Sequence, residues 1–400
     1  MRPLTKLAAL AAAGALISGP ATASTASPVC IPGGPWTQTW NDALDHGMSV
    51  GPLPGQSGTG WSNATLREVA DVSIGGSQLR LDLSNEFASN PVTFGHVSVA
   101  PQLNGAVAAQ APTVVTFNGA TSVTLAAGAE VQSDTVALAV TPGERLLVSL
   151  YLPTSTTVTT ANAHTYSGQT EYAVINQDAV TETNPPVNNS FGFAAYLGGI
   201  DVDASSAQTV VAVGDSITDL GGAPTDADAR WPEYLSHRIP ALAVINQGIS
   251  GNWVTADQGS NGGPSLQHRW QHDVLNVPGV RTVIDEDGIN DLRGGVSASS
   301  LESAQASLVA SAHAAGLRMI LTTITPCSGN SLCTSSFETQ RQAYNAWVRA
   351  GTSGADGFAD FDAAVGAGAA LTGMYDSGDH IHPNAAGMLA MASAVNTAQL

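Results

Sequence analysis

Ser216 stands in the run Val-Val-Ala-Val-Gly-Asp-Ser-Ile-Thr-Asp-Leu, residues 210 to 220. A serine hydroxyl becomes a useful nucleophile when a base takes its proton, a third group orients that base, and donors meet the developing oxyanion. The chemistry of such a set is acyl transfer to the serine and then to water. Val210 to Val213 is a short unbroken apolar run, the pattern of a strand buried on both faces of a parallel sheet. Gly214 lets the backbone turn sharply. Asp215 and Ser216 then fall at the carboxyl end of the strand, where open α/β sheets place their ligands. Gly-Asp-Ser alone reads equally well as an ordinary strand ending in a polar turn, so the rest of the chain decides.

The other reactive side chains are few. Cys327 and Cys333 bracket one short loop, and in an oxidising compartment they read as a disulfide. No His or second Cys pair lies at zinc-ligand spacing around them. Cys30 is left over, free or paired elsewhere. His268 and His272, four apart, could form one face of a metal site. No third ligand accompanies them, so they read as surface histidines.

The elements that must position Ser216 follow from periodicity. Leu242–Asn246, Arg281–Asp285, Arg318–Ile324 and Gly357–Phe361 are strand-like. They alternate with helix-like stretches at 231–237, 298–315, 336–350 and from Pro383 to about Val395. Gly316 sits where a C-cap belongs. This order predicts a parallel sheet covered on both faces.

The first half, from about Trp36 to Leu197, reads differently. Leu79, Leu81 and Leu83 alternate with polar residues, as do Val136, Leu138 and Val140, and Leu146, Val148, Leu150 and Leu152. Val72 and Ile74 precede Gly75-Gly76, which reads as a hairpin turn. Several short strands at this spacing predict an antiparallel β-sandwich, jelly-roll-like. Trp36, Trp40 and Trp61 offer a sugar-stacking platform, with core packing the commoner fate of tryptophan. Gly198–Ala207 is the expected junction.

Composition bounds the rest. The chain has 400 residues, with Lys+Arg 13 against Asp+Glu 32 and a net charge of −19. Such acidity favours solubility and disfavours nucleic acid and anionic membranes. Arg2 and Lys6, the apolar run Leu7–Ile17 and Ala21-Thr22-Ala23 read as a secretory signal. The expected organisation is signal peptide 1–23, β-sandwich domain 24–206 and catalytic domain 207–400. The mature protein is expected to be exported, with no stable membrane insertion.

Four stretches then line up with Ser216. They are Gly214-Asp215-Ser216-Ile217, Asn246-Gln247-Gly248-Ile249-Ser250-Gly251, Gly288-Ile289-Asn290-Asp291 and Asp379-His380-Ile381-His382. In their order and spacing the second half resembles the SGNH, or GDSL, superfamily of serine esterases. The resemblance implies a flavodoxin-like three-layer α/β/α fold and a mechanism with neither cofactor nor metal. Carried over residue by residue, it implies Ser216 as nucleophile, His382 as base and Asp379 as its partner. It implies an oxyanion hole from the N–H of Ser216, the N–H of Gly251 and the amide of Asn290. Asp376 and His380 lie beside the pair at spacing that matches less well. Asp215 and Asp291 are expected to brace the loops carrying Ser216 and Asn290, and Glu286 and Asp287 to be solvated or loop-bonding carboxylates. Pro383 suits the first position of the closing helix, and the Gly- and Ser-rich stretch 253–264 a pocket-shaping loop.

The expected function is hydrolysis of short-acyl carboxylic esters, small molecules or glycan esters. Polysaccharide O-acetyl esters are the alternative. Lipid esters come next, followed by a non-catalytic glycan-binding protein with the α/β domain as scaffold. Oligomeric state is not legible in the sequence.

Overall fold

The computed structural model describes residues 35–400. The expected export signal and Cys30 lie outside them.

Five strands form a parallel sheet in the order Ala243–Gly248, Thr209–Gly214, Val280–Asp285, Arg318–Thr322, Gly357–Ala359. In chain order this is 2-1-3-4-5, the flavodoxin-like order, whose crevice opens where strand order reverses. That point lies between the strand leading to Ser216 and the strand leading to Asn290. Every residue of Thr209–Gly214 is buried, as its apolar run requires.

Two helix pairs cover the sheet. Trp231–Arg238 packs on Ala385–Ala394, and Ala298–Ala314 packs on Ser335–Arg349. Ser297 caps Ala298–Ala314 by accepting from Ser300 N–H. The helix buries Leu301, Leu308, Val309 and Ala312. It ends at Gly316, whose φ of +76° suits a left-handed stop. Asn384 caps the last helix, which therefore starts at Ala385. Pro383 precedes the cap and does not occupy the helix's first turn.

The amino-terminal half is antiparallel and β-rich. One sheet pairs Ala64–Val72 with Glu144–Leu152, which in turn pairs His96–Asn104. A second holds Thr37–Asn41, Leu197–Val202, Leu79–Ser84 and Glu130–Gln132 in that order. Leu66, Leu146, Val148, Leu150 and Leu152 from the first sheet meet Leu79, Leu81, Leu83, Ile200 and Val202 from the second in one core. Each such side chain contributes about 1.5–3 kcal/mol by leaving water.

The expected hairpin at Gly75-Gly76 is not one. The strands on either side belong to different sheets, so the glycines carry a crossing between layers. A Cβ on Gly75 would lie 2.4 Å from the Val140 carbonyl oxygen. Val136 to Val140 keeps its alternating burial but makes only isolated bridges, Leu79 with Val136 and Gly76 with Val140. Of the expected junction, Gly198–Val202 is strand, leaving 203–208 as the connection.

The tryptophans serve packing. Trp61 is buried and stacks on Phe193 at 5.9 Å, and Trp36 lies under the Arg80 guanidinium at 4.6 Å. The two halves are bonded at several points. Thr209 Oγ1 donates to the Gln38 carbonyl at 3.1 Å, and Val244 N–H to Ser73 Oγ at 3.1 Å. No helix of the described residues is long and apolar enough to cross a membrane.

Candidate active site

Ser216 opens a one-turn helix, Ser216–Asp219, directly after the central strand. Asp215 is its N-cap and accepts from Ile217 N–H at 3.0 Å. Gly214 is required here, since a Cβ would lie 2.2 Å from Thr218 Oγ1 and 2.7 Å from a Glu286 oxygen.

A hydrogen-bonded chain runs outward from Ser216. Its Oγ is 2.8 Å from His382 Nε2, and His382 Nδ1 is 2.5 Å from Asp379 Oδ2. A carboxylate can only accept, so Nδ1 carries the proton and Nε2 is free to accept from Ser216. Asp379 Oδ1 accepts from the backbone N–H of Ile381 at 3.0 Å and of His382 at 2.9 Å. Burial acts to raise the Asp379 carboxyl, but the N–H and ring contacts of His382 outweigh it and hold it well below the usual carboxylate range. It is thus an anion at neutral pH, bonded to the Nδ1–H of the His382 ring. The chain is open to water: side-chain exposure is 26% at His382 and 47% at Asp379.

Three loops meet around Ser216. Gly251 has φ +82°, and a Cβ there would lie 2.2 Å from the Asn261 carbonyl oxygen. No side chain fits that position. Asn290, at the start of Ile289–Arg293, ties the loops together. Its amide nitrogen donates to the Asn252 carbonyl at 3.1 Å and to Asp215 Oδ2 at 3.3 Å, and its oxygen accepts from Arg293 Nη1 at 3.1 Å. The bond to Asp215 is the longer of the two.

The carboxylates around the site divide by role. Asp291 accepts from Val254 N–H at 2.8 Å and from Thr255 N–H at 3.1 Å, clamping the loop that follows Gly251. Asp215 caps and braces as described, and burial pushes its carboxyl up to about 7. Glu286 and Asp287 are not solvated: each is 2% exposed. Glu286 accepts from Thr218 Oγ1 at 2.9 Å and Asp287 from Gly288 N–H at 2.9 Å, and burial raises both carboxyls well above the usual range.

The neighbouring histidines point elsewhere. His380 adopts φ +68°, and its Nδ1 pairs with Asp376 Oδ2 at 2.7 Å. His268 pairs with Asp257 at 3.0 Å, and His272 with Asp273 at 2.6 Å and Glu130 at 3.1 Å. His268 and His272 therefore share no partner. Among the described residues, Glu86, Glu130 and His272 could together offer metal ligands. This exposed group contains none of the residues around Ser216.

Cys327 and Cys333 are disulfide-bonded. The loop they close packs on the Asp379 segment: Asn330 Nδ2 donates to the Asp379 carbonyl at 3.3 Å.

Sequence reasoning passed over Asn252, Arg269 and Arg293. Asn252 is fully buried and donates to the carbonyls of Gly262 and Pro264, while its oxygen accepts from Arg269 Nε at 3.1 Å. Adjacency to Gly251 was the available signal for Asn252. Arg293 lies one helical turn after Asn290, which was the signal for it.

Residues 212–390 match the family model of the GDSL-like lipase/acylhydrolase family. No curated protein matches the chain. Among solved structures, an acetylxylan esterase from Geobacillus stearothermophilus is 24% identical, covering 47% of this chain and 91% of its own, with a TM-score of 0.36. A member of the lipolytic G-D-S-L family from Veillonella parvula is 19% identical, covering 47% and 96%, with a TM-score of 0.37. An aryl esterase from M. smegmatis is 17% identical, covering 47% and 96%, with a TM-score of 0.40.

Proposed function

Residues 212–390 being a GDSL-like lipase/acylhydrolase domain, we propose that this carboxylic ester hydrolase cleaves short-acyl esters through Ser216, His382 and Asp379. The observation that carries the reading is the hydrogen-bonded chain from Ser216 Oγ through His382 to Asp379. Ser216 Oγ attacks the ester carbonyl carbon and its proton passes to His382 Nε2. Asp379 stabilises the imidazolium so formed. The N–H groups of Ser216 and Gly251 and the Asn290 amide meet the oxyanion, each contributing about 10²–10³ in rate. His382 then gives the proton to the leaving alcohol oxygen as the C–O bond breaks. Water, deprotonated by His382, attacks the acyl-Ser216 carbonyl; the acyl–Oγ bond breaks, His382 returns the proton to Ser216 Oγ, and the acid leaves.

Export belongs to the same proposal, supported by the Cys327–Cys333 disulfide, since such bonds persist in oxidising compartments. So does the division at residue 206, which leaves Ser216, Gly251, Asn290, Asp379 and His382 together in 207–400.

The Gly- and Ser-rich loop 253–264 and an aromatic content of 6% favour a shallow, polar cleft, and with it small or glycan-borne acyl groups over long chains. A deep acyl tunnel would gain about 0.8 kcal/mol per buried methylene. The test is fluorophosphonate labelling of the wild type and Ser216→Ala, followed by p-nitrophenyl esters of increasing acyl length beside acetylated xylan and a triglyceride emulsion. Labelling lost in Ser216→Ala with best rates on acetyl and butyryl esters supports the reading. Rates rising to the longest chains, with emulsion activity, would leave a lipase. Acetate release from xylan far above that from simple esters would make the enzyme a polysaccharide O-acetylesterase.

A further inference from the structure

The amino-terminal domain reaches the loop beside Ser216 through one buried histidine. His164 ends the strand Thr160–His164 and is 1% exposed. Its Nδ1 is 2.7 Å from the Ala43 carbonyl oxygen, and its Nε2 is 3.0 Å from Asp219 Oδ1. A carbonyl and a carboxylate can only accept, so both ring nitrogens donate and the ring is an imidazolium. Burial acts to discharge the ring, but the carboxylates of Asp42 and Asp219 outweigh it and hold its pKa well above the ordinary imidazole value.

Asp219 is the last residue of the one-turn helix that Ser216 begins. While its Oδ1 accepts from His164, its Oδ2 accepts from Ser250 N–H at 2.9 Å and from Ser250 Oγ. Ser250 and Gly251 share the peptide unit whose N–H is the Gly251 donor. The same domain also supports the far side of this loop. Asp45 N–H donates to the Ala163 carbonyl at 3.0 Å, fixing Asp45 to the histidine's strand. Asp45 in turn packs on Gly263, where a Cβ would lie 3.0 Å from Asp45 Cβ. Gly262, the preceding residue, closes on the Gly251 carbonyl.

We propose that His164 is a positioning residue for ester hydrolysis at Ser216, acting through Asp219 and Ser250 on the peptide unit that carries the Gly251 N–H. The proposal rests on the esterase reading above and gives the amino-terminal domain a part in it. Asp219 is held from both sides: His164 on Oδ1, Ser250 on Oδ2, with Arg230 Nη1 donating to its backbone carbonyl at 3.0 Å. Without His164, a buried carboxylate loses its cationic partner and can turn away from Ser250. The Gly251 donor then drifts from where charge develops in the transition state. Binding of the uncharged ester is left alone.

The test uses the full chain. His164→Ala, His164→Gln, Ser250→Ala and the His164→Ala/Ser250→Ala double variant are assayed on p-nitrophenyl acetate. Active sites are counted by fluorophosphonate titration, so that lost fold is not read as lost rate. His164→Ala is expected to lower kcat per titrated site by about 10- to 100-fold, less than deleting a donor outright, with KM nearly unchanged. His164→Gln keeps a donor for Asp219 Oδ1 and should recover most of the rate. Ser250→Ala should fall in the same direction, and the double variant should be no worse than His164→Ala alone, because the residues act in series. Should His164→Ala fail to fold, Ser250→Ala and His164→Gln carry the comparison. An unchanged kcat per site in Ser250→Ala, or full additivity in the double variant, overturns the proposal. Wild type that labels and hydrolyses while all variants match it removes His164's role alone. Wild type that does neither removes the esterase reading, and the role with it.

Discussion

Asp379→Asn isolates the electrostatic role of one carboxylate with little change of shape. The two backbone bonds to Oδ1, from Ile381 and His382 N–H, survive because an amide oxygen also accepts. The change falls on Oδ2, now an NH₂ group facing His382 Nδ1. Nδ1 must then accept, and the ring proton moves to Nε2, toward Ser216 Oγ. That tautomer cannot act as a base. A buried carboxylate in a serine protease triad contributes about 10⁴ in kcat by this means. Here the carboxylate is 47% exposed, so water can take part of its place and the amide can rotate. A loss of about 10³ in kcat is expected, equivalent to about 4 kcal/mol of transition-state stabilisation. Stability should change little, since exposed ion pairs contribute about 0–1 kcal/mol. Steady-state hydrolysis of p-nitrophenyl acetate and a thermal melt supply both quantities. A kcat within tenfold of wild type, or a loss that tracks the fraction unfolded, would refute the tautomer argument.

Asn290→Ala should lower kcat by about 10²–10³ with little change in KM; an effect confined to KM would make Asn290 a binding residue instead. His380→Ala should stay active, since His380 pairs with Asp376 and not with the Ser216 chain; a dead His380→Ala beside an active His382→Ala would reverse the assignment of the base. Replacing Cys327 and Cys333 by serine should cost about 2 kcal/mol by the chain-entropy model, and partial loss of activity should accompany it through the Asn330–Asp379 contact. Stability from His164 is complete below the ordinary imidazole value near 6.5 and is lost as pH rises through its raised folded value. Asp42, pushed up by burial to about 6, and Asp71 and Asp285, each pushed up to about 7, lose stability in the same direction. The difference in melting temperature between wild type and His164→Gln across neutral to alkaline pH therefore isolates the histidine, and an unchanged difference would contradict the ion pair.

The parallel sheet was legible because its central strand is a continuous apolar run and strand-like and helix-like stretches alternate after it, one helix stopping at Gly316. Val210–Val213 and the Ser297–Gly316 segment say locally what they do. Three of the four stretches around Ser216 were legible because each follows a strand of the parallel sheet; Asp379–His382 instead lies in the turn before the last helix. The crossing at Gly75-Gly76 was not, since two glycines between alternating runs look alike whether the chain folds back on its own sheet or passes to another. Glu286 and Asp287 read as solvated or loop-bonding carboxylates; burial rules out the first and their bonds bear out the second, with Asp287 bonding the adjacent Gly288 N–H and Glu286 reaching Thr218, 68 residues away in the chain. His164 gave no signal at all. It sits among threonines and alanines, and its significance comes from Asp219, 55 residues further along the chain.

The pairing of Thr37–Asn41 with Leu197–Val202 also sets a timetable for synthesis. Thr37, near the start of the described chain, bonds the Ala204 carbonyl 167 residues later. At about 5–20 residues per second of translation, this first strand waits on the order of 10–30 s for its partner. Until then its edge is open to pairing with other chains. Slower elongation would lengthen that wait and raise the demand for a holding chaperone, without altering any contact of the finished enzyme.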